Sequence, residues 1–245
     1  MYKLQKPMHR FLLAVGFWLL AISLVAAQPL EHAIASDSLP VGNQEQFKPI
    51  QLAVPVTLIA VGALCKHNGR IPGNGHTNVD DYIQYIPAAA NIGLGLCGVR
   101  GAHPWRERIA LTATAYAVML GLSQGLKYTI REQRPDSDAL TSFPSGHTAT
   151  AFTSAELVRR EYGIGYGLAA YGVATTVAFL RLYNHRHWFN DLIGGVGVGL
   201  LSVQAAYWLL PLERRLFGWD KGGPAITVVP GYDGHNATLA TSITF

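Results

Sequence analysis

From residue 49 onward, apolar residues gather into six stretches, near 49–65, 85–99, 109–126, 146–158, 164–180 and 192–210, separated by short polar segments. Crossing the hydrocarbon of a bilayer takes roughly 20 apolar residues in a helix, and about 17 still suffice. The third, fifth and sixth stretches reach that length unaided. The second is short, the first contains Pro49 and Pro55, and the fourth carries Thr148, Thr150, Thr153 and Glu156, so these three read as shielded or partly buried helices. Gly and Ala recur inside the stretches, as in "IGYGLAAYGVA" and "IGGVGVGL". In water such residues as glycine weaken a helix. Between membrane helices they let backbones approach, and Gly195 with Gly199 has the small-x-x-x-small spacing of such contacts. The pattern predicts an all-α fold, a six-helix membrane bundle, with a tightly packed soluble bundle as the competing reading.

The two ends of the chain break the pattern. Residues 1–27 place Lys3, Lys6 and Arg10 before the apolar "FLLAVGFWLLAISLVAA", which is the layout of a signal peptide cleaved after Ala27, or else of an N-terminal anchor. Residues 28–48 are polar and read as a linker, and residues 49–223 form the helical domain. Residues 224–245 include "AITVVPGYDGHNATLATSITF", where small or polar residues alternate with apolar ones around a Gly- and Asn-rich centre. That suggests a short C-terminal β-hairpin or tail without chemistry of its own. A lone hairpin cannot span a bilayer, because its edges stay unsatisfied.

Composition supports the membrane reading. Only 14% of the residues are charged, where a soluble domain carries about a quarter. The net charge of +4 is modest and its basic residues are scattered, so nucleic acid is not a partner. Cys65 and Cys97 each lie in an apolar run without C-x-x-C spacing and read as small hydrophobes, with a disulfide left open.

Three basic islands fall between the apolar runs. In "KYTIREQRP", Lys127 and Arg134 are seven residues apart, about two helical turns, and share a face if the helix persists. Pro135 disfavours helix at Arg134. In "FPSGHTAT", Pro144 suits the first position of a helix, which would put the amides of Ser145, Gly146 and His147 in a first turn lacking intrahelical acceptors. Such a turn binds anions. In "RLYNHRHWFND", Arg181 follows an apolar run, and His187 and Asp191 are four apart, a spacing that stacks them on one helical face. A carboxylate so placed holds one ring nitrogen and leaves the other basic. Metal ligands are anionic or neutral donors, whereas Lys127, Arg134 and Arg181 form a cationic set suited to a multiply charged oxyanion such as phosphate.

Lys127, Arg134 and Pro135, then Pro-Ser-Gly-His at 144–147, then Arg181, His187 and Asp191 together resemble the three-part signature of the type 2 phosphatidic acid phosphatase superfamily. That superfamily takes in membrane lipid phosphatases, class A acid phosphatases and vanadium haloperoxidases. The third motif of the family usually begins Ser-Arg, and Leu180 stands in the serine's place here. The resemblance implies that His187 attacks phosphorus, Asp191 orients it, and His147 protonates the leaving oxygen and later activates water. It implies that Lys127, Arg134, Arg181, Ser145 and Gly146 hold the phosphoryl oxygens, without metal or other cofactor. The reaction so implied is hydrolysis of a lipid phosphate: lipid A, undecaprenyl diphosphate, phosphatidylglycerol phosphate or phosphatidic acid. A soluble periplasmic acid phosphatase of broad range and a vanadate-dependent haloperoxidase are the alternatives. The expected partners are that phosphorylated lipid and the membrane itself.

Topology divides the indications. A cleaved signal followed by six crossings puts the motifs in the cytoplasm. The motif face, however, carries Lys66, Arg70, Arg131 and Arg186 beyond the catalytic cations, while the other holds Lys48, Arg100, Arg106, Arg108, Arg159, Arg160, Arg214, Arg215 and Lys221. The positive-inside rule makes that second face cytoplasmic. The expectation is a multi-pass protein of a bacterial inner membrane with its site facing the periplasm.

Overall fold

A computed structural model describes residues 48–65 and 77–219, together with the backbone of 225–232 and 237–244. The N-terminal signal or anchor and almost all of the expected linker lie outside the described residues. Pro49 opens the first apolar stretch as a 3₁₀ turn, Pro49–Leu52, which runs directly into helix α1, Ala53–Leu64. Pro55 lies in the first turn of α1, where a missing N–H breaks no intrahelical bond. The next helices are α2, Val79–Ile83, and α3, Ile86–Leu96. Four longer ones complete the bundle: α4, Trp105–Ile130; α5, Gly146–Tyr162; α6, Ile164–Tyr183; and α7, Phe189–Leu216. The six apolar stretches thus become α1 with its lead-in turn and α3 to α7. The short α2 falls in a segment without apolar period.

Helix α5 is the centre. Twelve of its 17 residues are buried, so the stretch that carries Thr148, Thr153 and Glu156 is shielded by its neighbours as its composition requires. Phe152, Tyr171, Val177, Leu192 and Val196 join α5, α6 and α7 in one core, and Leu111, Leu157, Val203 and Tyr207 join α4, α5 and α7 in another. Glycine sets the spacing between α5 and α7. A Cβ on Gly195 would stand 2.7 Å from the Ser145 carbonyl oxygen, and one on Gly199 would stand 2.9 Å from that of Ala149. The opposite side of α7 is equally close to α1, where a Cβ on Gly197 would meet the Pro55 carbonyl oxygen at 2.7 Å. The small-residue spacing read from the sequence is therefore a backbone-to-backbone contact.

Of the three stretches expected to cross a membrane unaided, two form helices long and apolar enough to do so, α4 and α7. The fifth forms the 20-residue α6, whose hydropathy is lowered by Tyr166, Tyr171, Thr175, Thr176 and Arg181. Helix α4 leaves an apolar face open, with Ile109 63% and Leu120 55% exposed. A contiguous face of that kind suits lipid better than water.

At the end of the bundle where α5 and α6 meet, acidic and basic side chains pair. Glu161 receives Tyr207 Oη at 2.6 Å and lies 2.9 Å from His103 Nδ1, while Arg214 donates to Glu107 at 2.7 Å. Deeper in, Glu156 receives Arg159 at 2.6 Å and Arg160 at 2.8 Å. Several arginines of the more basic face are thus held by buried carboxylates. Beyond α7, strand β1, Ala225–Tyr232, pairs antiparallel with β2, Ala237–Thr244, with Ala225 opposite Thr244. Cys65 and Cys97 are exposed and free, at the C-terminal ends of α1 and α3, rather than buried as small hydrophobes.

Candidate active site

Helices α4 and α6 end, and α5 and α7 begin, at one end of the bundle, and each motif sits at one of those termini. Helix α4 stops at Ile130 because Arg131 takes the left-handed conformation, φ 52°, while its N–H still reaches the Lys127 carbonyl at 3.2 Å. Arg134 is therefore off the helix, and the shared helical face expected for Lys127 and Arg134 does not form. Pro135 already disfavoured it. The loop is held by backbone bonds from Arg134 N–H to Ala139 O, 3.1 Å, and from Ser142 N–H to Glu132 O, 2.9 Å. Lys127, in the last turn of α4, donates through Nζ to the carbonyls of Thr141, 2.7 Å, and Pro144, 2.8 Å. It thereby ties the first motif to the second.

The second motif starts its helix later than the sequence suggested. The Phe143–Pro144 bond is cis, Ser145 is the residue before the helix, and α5 begins at Gly146. Pro144 is thus not the first helical residue. The Ser145 N–H is not part of an open cradle either, because it donates to the Asp191 carbonyl at 3.0 Å. The Ser145 side chain is fully buried and accepts from Thr148 Oγ1 at 3.0 Å. The amides of Gly146 and His147 remain in the first turn, which has no intrahelical acceptor.

The third motif spans the α6–α7 junction. His187 precedes α7, whose flanking residue is Trp188, and Asp191 is the third residue of the helix. The expected stacking on one helical face is replaced by helix capping. Asp191 Oδ2 accepts the Trp188 N–H at 2.8 Å and lies 3.2 Å from His187 Nδ1. A third donor, Ser142 Oγ at 2.5 Å, reaches the same oxygen. Asp191 is fully buried and His187 is 2% exposed, so the carboxylate holds one ring nitrogen in a site almost without water. Burial pushes the His187 pKa well below the usual histidine value, and the nearby charges of Arg134, Arg181, Lys127 and His147 push it further the same way. The cations that the three motifs supply thus converge on one imidazole. A neutral His187 with Nδ1 against Asp191 leaves Nε2 as the free lone pair.

Two carboxylates that no apolar pattern marked also enter the site. Asp80 and Asp81 lie on α2, between the first two apolar stretches. Asp80, 1% exposed, receives Arg181 Nη1 at 2.6 Å and Asn184 Nδ2 at 2.9 Å. Asp81 Oδ1 lies 2.8 Å from His147 Nε2 and 3.3 Å from Arg181 Nη1. The Arg181 Nε is buried with no hydrogen-bond partner among the described residues. Ser142 was likewise missed, although it stands only two residues before the Pro-Ser-Gly-His motif. The available signal for the aspartates was two adjacent acids in a chain with only 15 Asp and Glu together. Among the described residues there is no cluster of His, Cys, Asp and Glu that could hold a metal ion.

Residues 108–215 match the model of the PAP2 superfamily, a segment that includes all three motifs. Over 147 residues the chain is 37% identical to a lipid A 1-phosphatase of Porphyromonas gingivalis, an overlap of 58% of this chain and 33% of that protein. The chain thus matches about a third of the length of that curated relative. Aquifex aeolicus LpxE, a solved structure, superposes with a TM-score of 0.43 at 19% identity, over 66% of this chain and 96% of that one. The transmembrane PAP2-type phosphatidylglycerolphosphate phosphatase of Bacillus subtilis does so with a TM-score of 0.38 at 18% identity, over 85% of this chain and 96% of that one.

Proposed function

We propose that this PAP2-superfamily chain is a phosphatase that removes a phosphate from a membrane lipid through a phosphohistidine on His187. The observation that carries the reading is the buried His187–Asp191 pair, 3.2 Å apart, set among Lys127, Arg134, Arg181 and His147. In the first step Nε2 of His187 forms a bond to phosphorus as the bond from phosphorus to the leaving oxygen breaks. His147 gives that oxygen a proton, so the lipid departs as a neutral alcohol, or as a phosphate where the substrate is a diphosphate. Asp191 stabilises the charge that develops on the imidazole ring. In the second step neutral His147 takes a proton from water, the water oxygen bonds to phosphorus, and the N–P bond breaks.

The equatorial oxygens gain charge along this path, and donors already fixed in a nearly dry site stabilise it without reorganising. Lys127, Arg134, the unpartnered Nε of Arg181 and the Gly146 amide are the donors in this reading. Ser145, fully buried beneath them, acts by joining α5 to α7 rather than by touching phosphate. A donor set dominated by cations suits an oxyanion and not a metal ion, so the chemistry needs none.

For the substrate we favour lipid A phosphorylated at its 1-position, because the chain is 37% identical over 147 residues to the lipid A 1-phosphatase of Porphyromonas gingivalis. Undecaprenyl diphosphate, phosphatidylglycerol phosphate and phosphatidic acid are the other candidates. The exposed apolar face of α4 favours a membrane enzyme over a soluble acid phosphatase. The excess of basic residues on the opposite face favours a site facing the periplasm.

The test is release of inorganic phosphate by detergent-purified enzyme from each of the four lipids, repeated with His187→Ala. Release from lipid A above the other three, abolished in the variant, is the expected result. Equal release by variant and wild type on every lipid would remove His187 from its role.

A further inference from the structure

The shared position of one Asp81 oxygen between the proton donor and a phosphate-binding cation has a use beyond catalysis. Oδ1 of Asp81 is 2.8 Å from His147 Nε2 and 3.3 Å from Arg181 Nη1. A phosphoryl oxygen held by the same two groups would occupy much the same place, so the carboxylate and the phosphoryl group exclude one another there. The two neighbouring aspartates differ in their ability to yield. The Asp80 side chain is 1% exposed and doubly held, by Arg181 at 2.6 Å and by Asn184 at 2.9 Å. The Asp81 side chain is 49% exposed, and its partners reach only one of its oxygens. A half-exposed carboxylate loses little by turning to water, whereas a buried one deprived of its partner is left as an uncompensated charge.

We propose that Asp81 is an exchangeable internal anion of the phosphate site, which gives way to an esterified phosphate and competes with free phosphate. The inference rests on the functional reading above, in which His147 faces the leaving oxygen. In the substrate that oxygen carries a carbon and no charge. In released inorganic phosphate the oxygen at the same place is charged, and it meets the Asp81 carboxylate at close range, where like charges repel. Asp81 therefore selects against the product more than against the substrate. It also keeps Arg181 and His147 paired when no ligand is bound, so that their cationic cup does not collect phosphate from solution.

The charges facing this position are His147 on α5, Arg181 on α6 and Asp80 beside Asp81 on α2. Asp81→Asn removes one of them and keeps an oxygen that can still accept a hydrogen bond.

The experiment compares inhibition of lipid-phosphate hydrolysis by inorganic phosphate and by orthovanadate in the full-length wild type, Asp81→Asn and Asp81→Glu. Asp81→Asn is expected to bind both inhibitors roughly 2- to 5-fold more tightly, with a smaller change in KM for the lipid, and Asp81→Glu to stay near wild type. A merely structural role for Asp81 would weaken binding of every ligand together. Unchanged or weaker inhibition in Asp81→Asn, or a fall in kcat with no gain in inhibitor affinity, overturns the proposal. Loss of the functional reading shows differently: the wild type itself would then release no phosphate and respond to neither inhibitor.

Discussion

Oδ2 of Asp191 lies 3.2 Å from Nδ1 of His187, and the two are brought together by the start of a helix and not by its length. The same oxygen accepts the Trp188 N–H that a helix N-terminus leaves without a partner. One carboxylate thus caps α7 and holds the imidazole. The orientation of His187 is as rigid as the helix beneath it.

Asp191→Asn keeps the shape of this cap but cannot stabilise an imidazolium, and its amide can impose the wrong tautomer. Phosphate release is expected to fall on the order of 10³-fold, with a far smaller change in lipid binding. Ser142→Ala leaves two donors on Asp191 Oδ2 and removes the third. A loss of about three- to tenfold in kcat is expected, the scale of one hydrogen bond. Steady-state kinetics on both variants check the order.

The depressed pKa of His187 fixes the sign of the acid limb. The group acts when unprotonated, so kcat/KM should hold down through pH 6.5 and fall only where His187 takes up a proton. Burial and Arg134 both depress that pKa. Arg134→Gln should therefore move the acid limb to higher pH, in addition to lowering the rate. Stability follows the same direction. Below the unfolded value of about 6.5 the unfolded chain binds the proton more readily than the native one, so stability falls as pH falls through that window.

Gly195→Ala places a methyl group 2.7 Å from the Ser145 carbonyl oxygen, which is backbone and cannot step aside. A loss of about 1–3 kcal/mol in stability is expected, read from thermal unfolding in detergent. Gly121→Ala is the control, since a Cβ there meets nothing within 4 Å and alanine favours helix. It should leave stability unchanged or raise it.

The two free cysteines report orientation. Cys65 ends α1 on the side of the site, where Gly62 packs beside Asn190, and Cys97 ends α3 at the other end, where Gly95 packs on Arg108. With the site facing the periplasm, a maleimide that cannot cross the membrane should label Cys65 and spare Cys97 in intact spheroplasts. The reverse labelling would turn the protein over.

Much of this fold was legible because its apolar runs are long and interrupted by polar islands. A close helix contact at Gly195 and Gly199 was legible too, from their small-x-x-x-small spacing, whereas its partner, α5, emerged only from the structure. The motif residues announced themselves by type and order. Less visible was how they are held. Three local rules changed the detail: Arg131 ended α4 early, Gly146 took the place expected of Pro144, and Asp191 reached His187 as a cap. Asp80 and Asp81 had no apolar period around them, and their relation to Arg181 spans 101 and 100 residues of chain, which no local pattern reports.

The most direct measurement is to look for the covalent intermediate. Detergent-purified enzyme is mixed with phosphate-labelled lipid, quenched in alkali to preserve an N–P bond, and digested for mass spectrometry. A labelled phosphohistidine at position 187, absent from His187→Ala, is the result expected. Phosphate release at the wild-type rate by His187→Ala, with no label on any histidine, would contradict the account.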